Sequence, residues 1–69
     1  MSHHVYQISE LTGSSPTSSD DAIRQALTKA AEKSPDIKWF EVIETRGHVA
    51  DGKVAHFQVT LKVGFRLEA

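Results

Sequence analysis

Four side chains stand out for what they could bind: Trp39, Gln58, Arg46 and Arg66. An indole offers a flat apolar face for stacking, and an amide offers a hydrogen-bond donor and an acceptor together. A guanidinium can hold phosphate or carboxylate through two parallel hydrogen bonds. This set favours a site for a planar heteroaromatic molecule. A structural alternative is that the two arginines pair with Glu44 and Glu68.

No catalytic pattern accompanies these four residues. The chain has no nucleophile and base in a recognisable arrangement, no glycine-rich phosphate loop and no paired catalytic acids. We therefore expect a binding protein and not an enzyme. A metal site needs at least three convergent ligands, and we expect none from the four histidines, which are His3, His4, His48 and His56.

The length and composition bound the possible functions. A chain of 69 residues is one domain, spanning 1–69. It contains no cysteine, which leaves self-association as the expected means of stabilising so small a core. Eight basic residues against nine acidic ones give a net charge of -1, which argues against a nucleic-acid partner. The sequence has no apolar run of membrane-spanning length and no signal-peptide pattern, so we expect a cytoplasmic protein without a membrane partner.

The element order predicted from the sequence is β-α-β-β. A first strand is expected at 5–11, followed by a turn at 12–16. Ser18 and Ser19 can cap a helix whose first turn is acidic, and Pro35 ends it. The apolar stripe of this helix consists of Ala22, Ile23, Ala26, Leu27, Ala30 and Ala31.

The last two strands are expected to form a long antiparallel hairpin. Asp51-Gly52 is a strong signal for a tight turn, between a strand at 37–48 and one at 54–67. The second of these strands alternates apolar and polar residues, which is typical of a half-buried strand. Counting outward from the turn places Trp39 opposite Gly64 and Thr45 opposite Gln58.

This register puts Trp39 on the sheet face away from the core. A lone tryptophan is more often a core residue, but here a core position would turn Phe40 and Val42 outward. The same count puts Glu44 and Arg46 on the core face, where they could meet a neighbouring subunit at the end of the sheet. A β-bulge between residues 44 and 47 would change that assignment.

Three segments carry a resemblance to a known family: 39–42 (WFEV), 46–48 (RGH) and 54–68 (VAHFQVTLKVGFRLE). The opening Val5-Tyr6 and the segment 12–16 (TGSSP) add to it. In these segments, which span nearly the whole chain, the sequence resembles the dodecins.

The resemblance implies an α+β subunit in which a three-stranded antiparallel sheet partly wraps one helix. It implies twelve subunits assembled as a hollow dodecamer, with flavins held in pairs between subunits related by a two-fold axis. Trp39 would stack on the isoalloxazine, and Gln58 would hydrogen-bond to its pyrimidine edge. Arg46 and Arg66 would contact the flavin or its phosphate-bearing tail.

The expected cofactor is FMN, with riboflavin and FAD as alternatives. Some dodecins also bind coenzyme A at a separate surface, for which Tyr6 is a candidate here. The role that the resemblance implies is storage and sequestration of flavin, with quenching of its excited state and protection against its photochemistry. Three alternatives remain open: a structural oligomer, a coenzyme A/flavin-binding module without a storage role, and a flavin-dependent enzyme.

Overall fold

A computed structural model of the chain describes residues 4–67. Its elements are β1 (Val5–Ser15), α1 (Ser19–Lys33), β2 (Ile37–Ala50) and β3 (Lys53–Leu67). The three strands form one sheet in the order β1-β3-β2, and β3 is antiparallel to both neighbours. The predicted β-α-β-β fold with a three-stranded antiparallel sheet is therefore confirmed. His3 and Glu68, which the sequence analysis considered, lie outside the described residues.

The first strand is longer than predicted. The turn expected at 12–16 is wrong, because β1 continues to Ser15 and Gly13 pairs with Val59. A Cβ at Gly13 would collide with the carbonyl oxygen of Ala22 and lie 2.9 Å from the Cβ of Ala26. This glycine lets the helix approach the strand closely, and it does not mark a turn.

The start of α1 is fixed by two serines. Ser18 is the N-cap, and its hydroxyl accepts a hydrogen bond from the Asp21 amide at 3.0 Å. The buried Ser15 hydroxyl donates to Asp21 Oδ2 at 2.7 Å and accepts from the Thr17 amide at 2.9 Å. The end of β1 is thereby joined to the first turn of the helix. The helix ends at Lys33, before Pro35, as predicted.

The core forms where α1 crosses β1 and β3. Its fully buried members are Ala22, Ala26, Val59, Leu61 and Val63. The small alanines allow the helix backbone to lie close to the sheet, although Ala31, which the sequence analysis placed on the same stripe, is exposed.

The helix does not cover β2. Phe40 and Val42, which face the helix side of the sheet, are 45% and 42% exposed. The subunit is elongated, with extents of 56 × 20 × 13 Å, because the hairpin projects beyond the helix. None of the helical structure within residues 4–67 is long and apolar enough to cross a membrane.

The hairpin turn is the one predicted from the sequence. Asp51 and Gly52 both have positive φ values, 53° and 73°, as a type I′ turn requires. Ala50 pairs with Lys53, and at the far end of the hairpin Trp39 pairs with Gly64.

Two compensating irregularities interrupt the hairpin between these points. Near the turn, Ala55 is an extra residue in β3, and Ile43 is an extra residue in β2 further along. Between them the register is displaced by one place, as a β-bulge causes. The predicted pair of Thr45 with Gln58 is therefore wrong, since Arg46 lies opposite Gln58.

The displaced register also changes which face Glu44 and Arg46 occupy. Residues directly opposite one another in an antiparallel pair share a face, so both lie with Gln58 on the face away from the helix. Their predicted position on the core face is wrong. The bulge at Ile43 lies between Val42 and Glu44, just before the segment 44–47 in which a bulge was considered from the sequence. We call the sheet face away from the helix the open face.

Candidate functional site

The side chain of Trp39 lies on the open face. Trp39 lies opposite Gly64, and a Cβ added to Gly64 would overlap the indole atoms Cε2 and Cζ2. The indole therefore packs against the backbone of β3, in space that only a glycine leaves empty. Trp39 remains partly exposed. The predicted non-core position of this residue is confirmed by the strand pairing.

Tyr6 forms a second wall beside the indole. The two ring centroids are 6.4 Å apart and the ring planes meet at 61°, in an edge-to-face arrangement. Such contacts contribute about 0.5–1.5 kcal/mol beyond the buried area. Tyr6 pairs with Arg66 across β1 and β3, which places Arg66 on the same face and next to this aromatic pair. We call Trp39, Tyr6, Gly64 and Arg66 the tryptophan cluster.

The sequence alone does not place Tyr6 in this cluster. The contact depends on the pairing of β1 with β3, between residues that are far apart in the chain. Within β1 alone, the alternation of Tyr6 with its neighbours gives only the face on which it lies. The information needed to find the contact was the register of a long-range strand pair.

A second group of polar side chains lies further along the open face. Arg46 is opposite Gln58, and its Nη2 donates to Glu44 Oε1 at 2.8 Å. Both partners of this ion pair are more than half exposed, so its contribution to stability is small. An anionic ligand can therefore compete with Glu44 for the guanidinium. We call Gln58, Arg46 and Glu44 the glutamine cluster.

The two clusters are far apart in one chain. Gln58 and Gly64 are six residues apart on β3, which at about 3.3 Å per residue is about 20 Å. Between them the open face carries the hydrogen bond of Thr12 Oγ1 with Thr60 Oγ1, at 2.9 Å, and then the row in which Lys62 lies opposite Glu41. A single tricyclic ring, about half that long, cannot contact Trp39 and Gln58 of the same chain.

The helix side of the sheet has a separate groove of about 320 Å³. It lies at the C-terminal end of α1, and its lining residues are Ser9, Leu11, Lys29, Ala30, Lys33, Ser34, Val63 and Phe65. None of the four residues singled out in the sequence contributes to it. The side chains with binding chemistry thus lie on the open face and not in this groove.

Metal-binding potential is limited among the residues described. Between residues 4 and 67, no group of three or more histidine, cysteine, aspartate or glutamate side chains is arranged to hold a metal ion.

Comparison with known proteins gives a consistent result. The family model described as Dodecin matches residues 5–68. A curated dodecin of Thermus thermophilus is 44% identical over 64 residues, which cover 93% of this chain and 93% of that protein.

Solved structures resemble the whole subunit. The dodecin of Streptomyces coelicolor superposes with a TM-score of 0.93 at 49% identity and covers 100% of this chain and 99% of its own. The dodecin of Streptomyces davaonensis also gives a TM-score of 0.93, at 46% identity, with 99% of this chain and 100% of its own covered.

Proposed function

The chain belongs to the dodecin family, and on this premise we propose that it binds flavin, as FMN, and stores it in a quenched and protected form. The observation that carries the proposal is the packing of Trp39 on Gly64. This contact fixes the indole plane on an exposed sheet face, as a stacking platform for an isoalloxazine requires. Riboflavin and FAD offer the same ring and are alternative ligands.

The binding site is completed by a second copy of the chain. Because the two clusters lie about 20 Å apart on one open face, a single chain offers a flavin either Trp39 or Gln58. Two open faces related by a two-fold axis near Thr60 and Lys62 would bring the tryptophan cluster of one copy against the glutamine cluster of the other. An isologous contact of this kind contains two equivalent sites, which agrees with flavins bound in pairs.

In this site the residues have distinct roles. Trp39 stacks on the ring, and Gln58 of the other copy hydrogen-bonds to the pyrimidine edge as both donor and acceptor. Arg66, which lies beside the aromatic pair, and Arg46, which is held by an exposed carboxylate, supply positive charge for the phosphate. Because Tyr6 contacts Trp39, it also supports the flavin site. Coenzyme A is an alternative ligand at a separate surface, with Tyr6 as the candidate residue.

Larger assembly is favoured by the uncovered side of β2. Phe40 and Val42 expose apolar surface on the face opposite to the proposed flavin site, so the subunit has two different surfaces to bury. One isologous contact combined with a second, heterologous one generates a closed particle. We propose that this particle is a homododecamer.

The role is binding without turnover. A flavin stacked on an indole and paired with a second flavin leaves little room for another substrate at its reactive N5. An electron transferred from the indole to the excited flavin quenches it, which protects the cell from flavin photochemistry. We propose a cytoplasmic location and no nucleic-acid or membrane partner.

A fluorescence titration tests this function. FMN added to the apo protein should lose its fluorescence and remain yellow when bound, with about one FMN per chain. If the protein stays colourless and FMN remains fluorescent at protein concentrations of about 100 µM, far above an ordinary ligand dissociation constant, the structural-oligomer alternative is favoured. Oxidation of a reduced nicotinamide at the bound flavin would favour an enzyme.

A further inference from the structure

Two histidines lie directly opposite one another near the end of the hairpin. His48 of β2 pairs with His56 of β3, and both side chains are exposed. They share the open face with Gln58, because His56 and Gln58 alternate with the intervening Phe57 along β3. Neither histidine belongs to the tryptophan cluster or to the glutamine cluster.

The bulge at Ala55 creates this pair. In an uninterrupted hairpin counted from the Asp51-Gly52 turn, His48 would lie opposite Ala55, and the two imidazoles would lie on opposite faces of the sheet. The extra residue Ala55 in β3 moves the pairing by one place, so that His48 meets His56. The arrangement is therefore a property of the fold, and spacing along the sequence does not predict it.

The sequence led us to expect no metal site among the histidines, but from this pairing we propose that His48 and His56 together chelate a zinc-class transition-metal ion, with water as the further ligands. Side chains directly opposite in an antiparallel pair have Cβ atoms about 4.5–5.5 Å apart. This separation allows one nitrogen of each ring to approach a common ion at the usual Zn–N distance of about 2.0–2.1 Å. Imidazole ligands suit zinc, copper and nickel, whereas calcium and magnesium prefer oxygen ligands.

Water completes the coordination. The described residues provide no third histidine, cysteine or carboxylate at this position, so the ion keeps solvent-occupied positions. Two cations flank the pair on the same face: Lys53, which pairs with Ala50, and Arg46, whose guanidinium donates to Glu44 at 2.8 Å. That ion pair reduces the repulsion that Arg46 would exert on a bound metal. A two-ligand site of this kind binds reversibly and does not form part of a closed structural centre.

The bound ion would clamp the end of the hairpin. This end of the sheet lies beyond the helix, and all residues of β2 from Phe40 to Ala50 are exposed. Because the two ligands come from different strands, an ion held by both binds only the paired strands. It therefore stabilises the native hairpin by mass action.

The test uses zinc and a background without other histidines. The chain has four histidines, so replacing His3 and His4 by glutamine leaves only the proposed pair. Calorimetric titration of this variant with zinc chloride, without flavin, should show about one ion per chain and a dissociation constant of about 1–100 µM (−8.2 to −5.5 kcal/mol). Adding His48→Gln or His56→Gln should weaken binding at least about tenfold, since each leaves a single imidazole.

Three outcomes decide the proposal. In 15N NMR spectra, zinc should shift the ring nitrogens of both histidines together, which a nonspecific surface effect would not do. Binding that survives with both histidines replaced would overturn the proposal, as would no uptake by the parent variant at about 100 µM zinc, the upper end of the range expected for a weak site. Circular dichroism of each variant checks that the exposed substitutions leave the fold intact. Because no flavin is present in this experiment, a failure to bind zinc would not count against the proposed flavin site.

Discussion

Gly64 and Trp39 occupy complementary space on the open face: the indole fills the volume in which any other residue at position 64 would place its Cβ. The two residues pair across β2 and β3, so the indole is held by the backbone of β3 and by an edge-to-face contact with Tyr6. The plane on which the proposed flavin stacks is thus set by the absence of one methyl group.

We therefore predict that Gly64→Ala weakens flavin binding without unfolding the chain. The new methyl group displaces the indole from its position. The affinity for FMN should fall about tenfold or more, because an aromatic stack contributes about 0.5–1.5 kcal/mol beyond its buried area. Quenching of FMN fluorescence measures the affinity, and the intrinsic fluorescence of Trp39 reports its displacement.

Gly47→Ala is the matched control for this substitution. Gly47 lies on the adjacent strand, and a Cβ there would lie 3.4 Å from its nearest neighbour, the carbonyl oxygen of His56, which is ordinary contact. Its FMN affinity should stay within about twofold of the parent, a difference below 0.5 kcal/mol. Equal losses in the two glycine variants would show that the position of the indole does not determine affinity.

The division of the site between two copies gives a second prediction. Trp39→Ala and Gln58→Leu should each weaken FMN binding, the latter by about 1–3 kcal/mol, because the ligand's polar edge is left unpaired. If a site takes Trp39 from one copy and Gln58 from another, particles containing both variants regain intact sites. Random co-assembly at equal amounts should restore about one quarter of the sites, since each intact residue is present in half of the copies.

Co-expression of the two variants and a quenching titration measure this recovery. A mixture of the two separately assembled proteins is the control, because it should show no intact site. If the co-assembled particles bind no more FMN than that control, Trp39 and Gln58 act within one chain or outside the site.

Part of the strand pairing on which these predictions depend can be predicted from the sequence alone. The Asp51-Gly52 turn and the alternation of β3 are local signals, so the pairing of Trp39 with Gly64 followed by counting. The count fails between Ile43 and Ala55, where two bulges cancel, and again beyond Trp39, where the extra residue Lys38 sets Ile37 opposite Phe65. The extra residues at these bulges are ordinary strand residues, and local propensity does not distinguish them from their neighbours.

Long-range contacts account for the remaining differences. The sequence predicts a turn at Gly13, whereas the structure needs a glycine there because the carbonyl of Ala22 lies close. Only the packing of the helix on the strand brings that carbonyl near. The contact of Tyr6 with Trp39 likewise requires the pairing of the first strand with the last. The sequence therefore sufficed to select Trp39 as a binding residue and to predict the sheet face on which it lies. It did not predict which side chains surround it.

The third prediction concerns the charge beside the aromatic pair. Arg66→Ala should weaken binding of FMN more than binding of riboflavin, because only FMN carries a phosphate for the guanidinium. Added salt should reduce the FMN preference of the parent protein, since it screens partly exposed charges. Parallel titrations with the two flavins at low and high ionic strength provide the measurement.

Arg24→Ala serves as the control for Arg66. Arg24 is an exposed arginine of the helix, so its removal changes the net charge equally but on the other side of the sheet. The two variants should differ in their FMN affinity and agree in their riboflavin affinity. A loss shared equally by FMN and riboflavin in Arg66→Ala would assign this arginine to the ring or to a subunit contact.

The last prediction is that assembly precedes binding. Phe40 and Val42 are large apolar side chains left 45% and 42% exposed on the helix side of β2, and burying the exposed part of each contributes a little under half of the about 1.5–3 kcal/mol that complete burial of such a side chain is worth. The apo protein should therefore form a large particle without flavin.

Val42→Asp should dissociate it, because a carboxylate would have to be buried in the contact. Gln25→Asp is the control, since it adds the same charge at an exposed polar residue of the helix and should leave the particle assembled. Native mass spectrometry gives the subunit number of each variant, and FMN titration follows on the same samples. Because the proposed site needs two copies, the dissociated variant should lose quenching while the control keeps it. A Val42→Asp monomer that still quenches FMN would contradict both the shared site and the assembly argument.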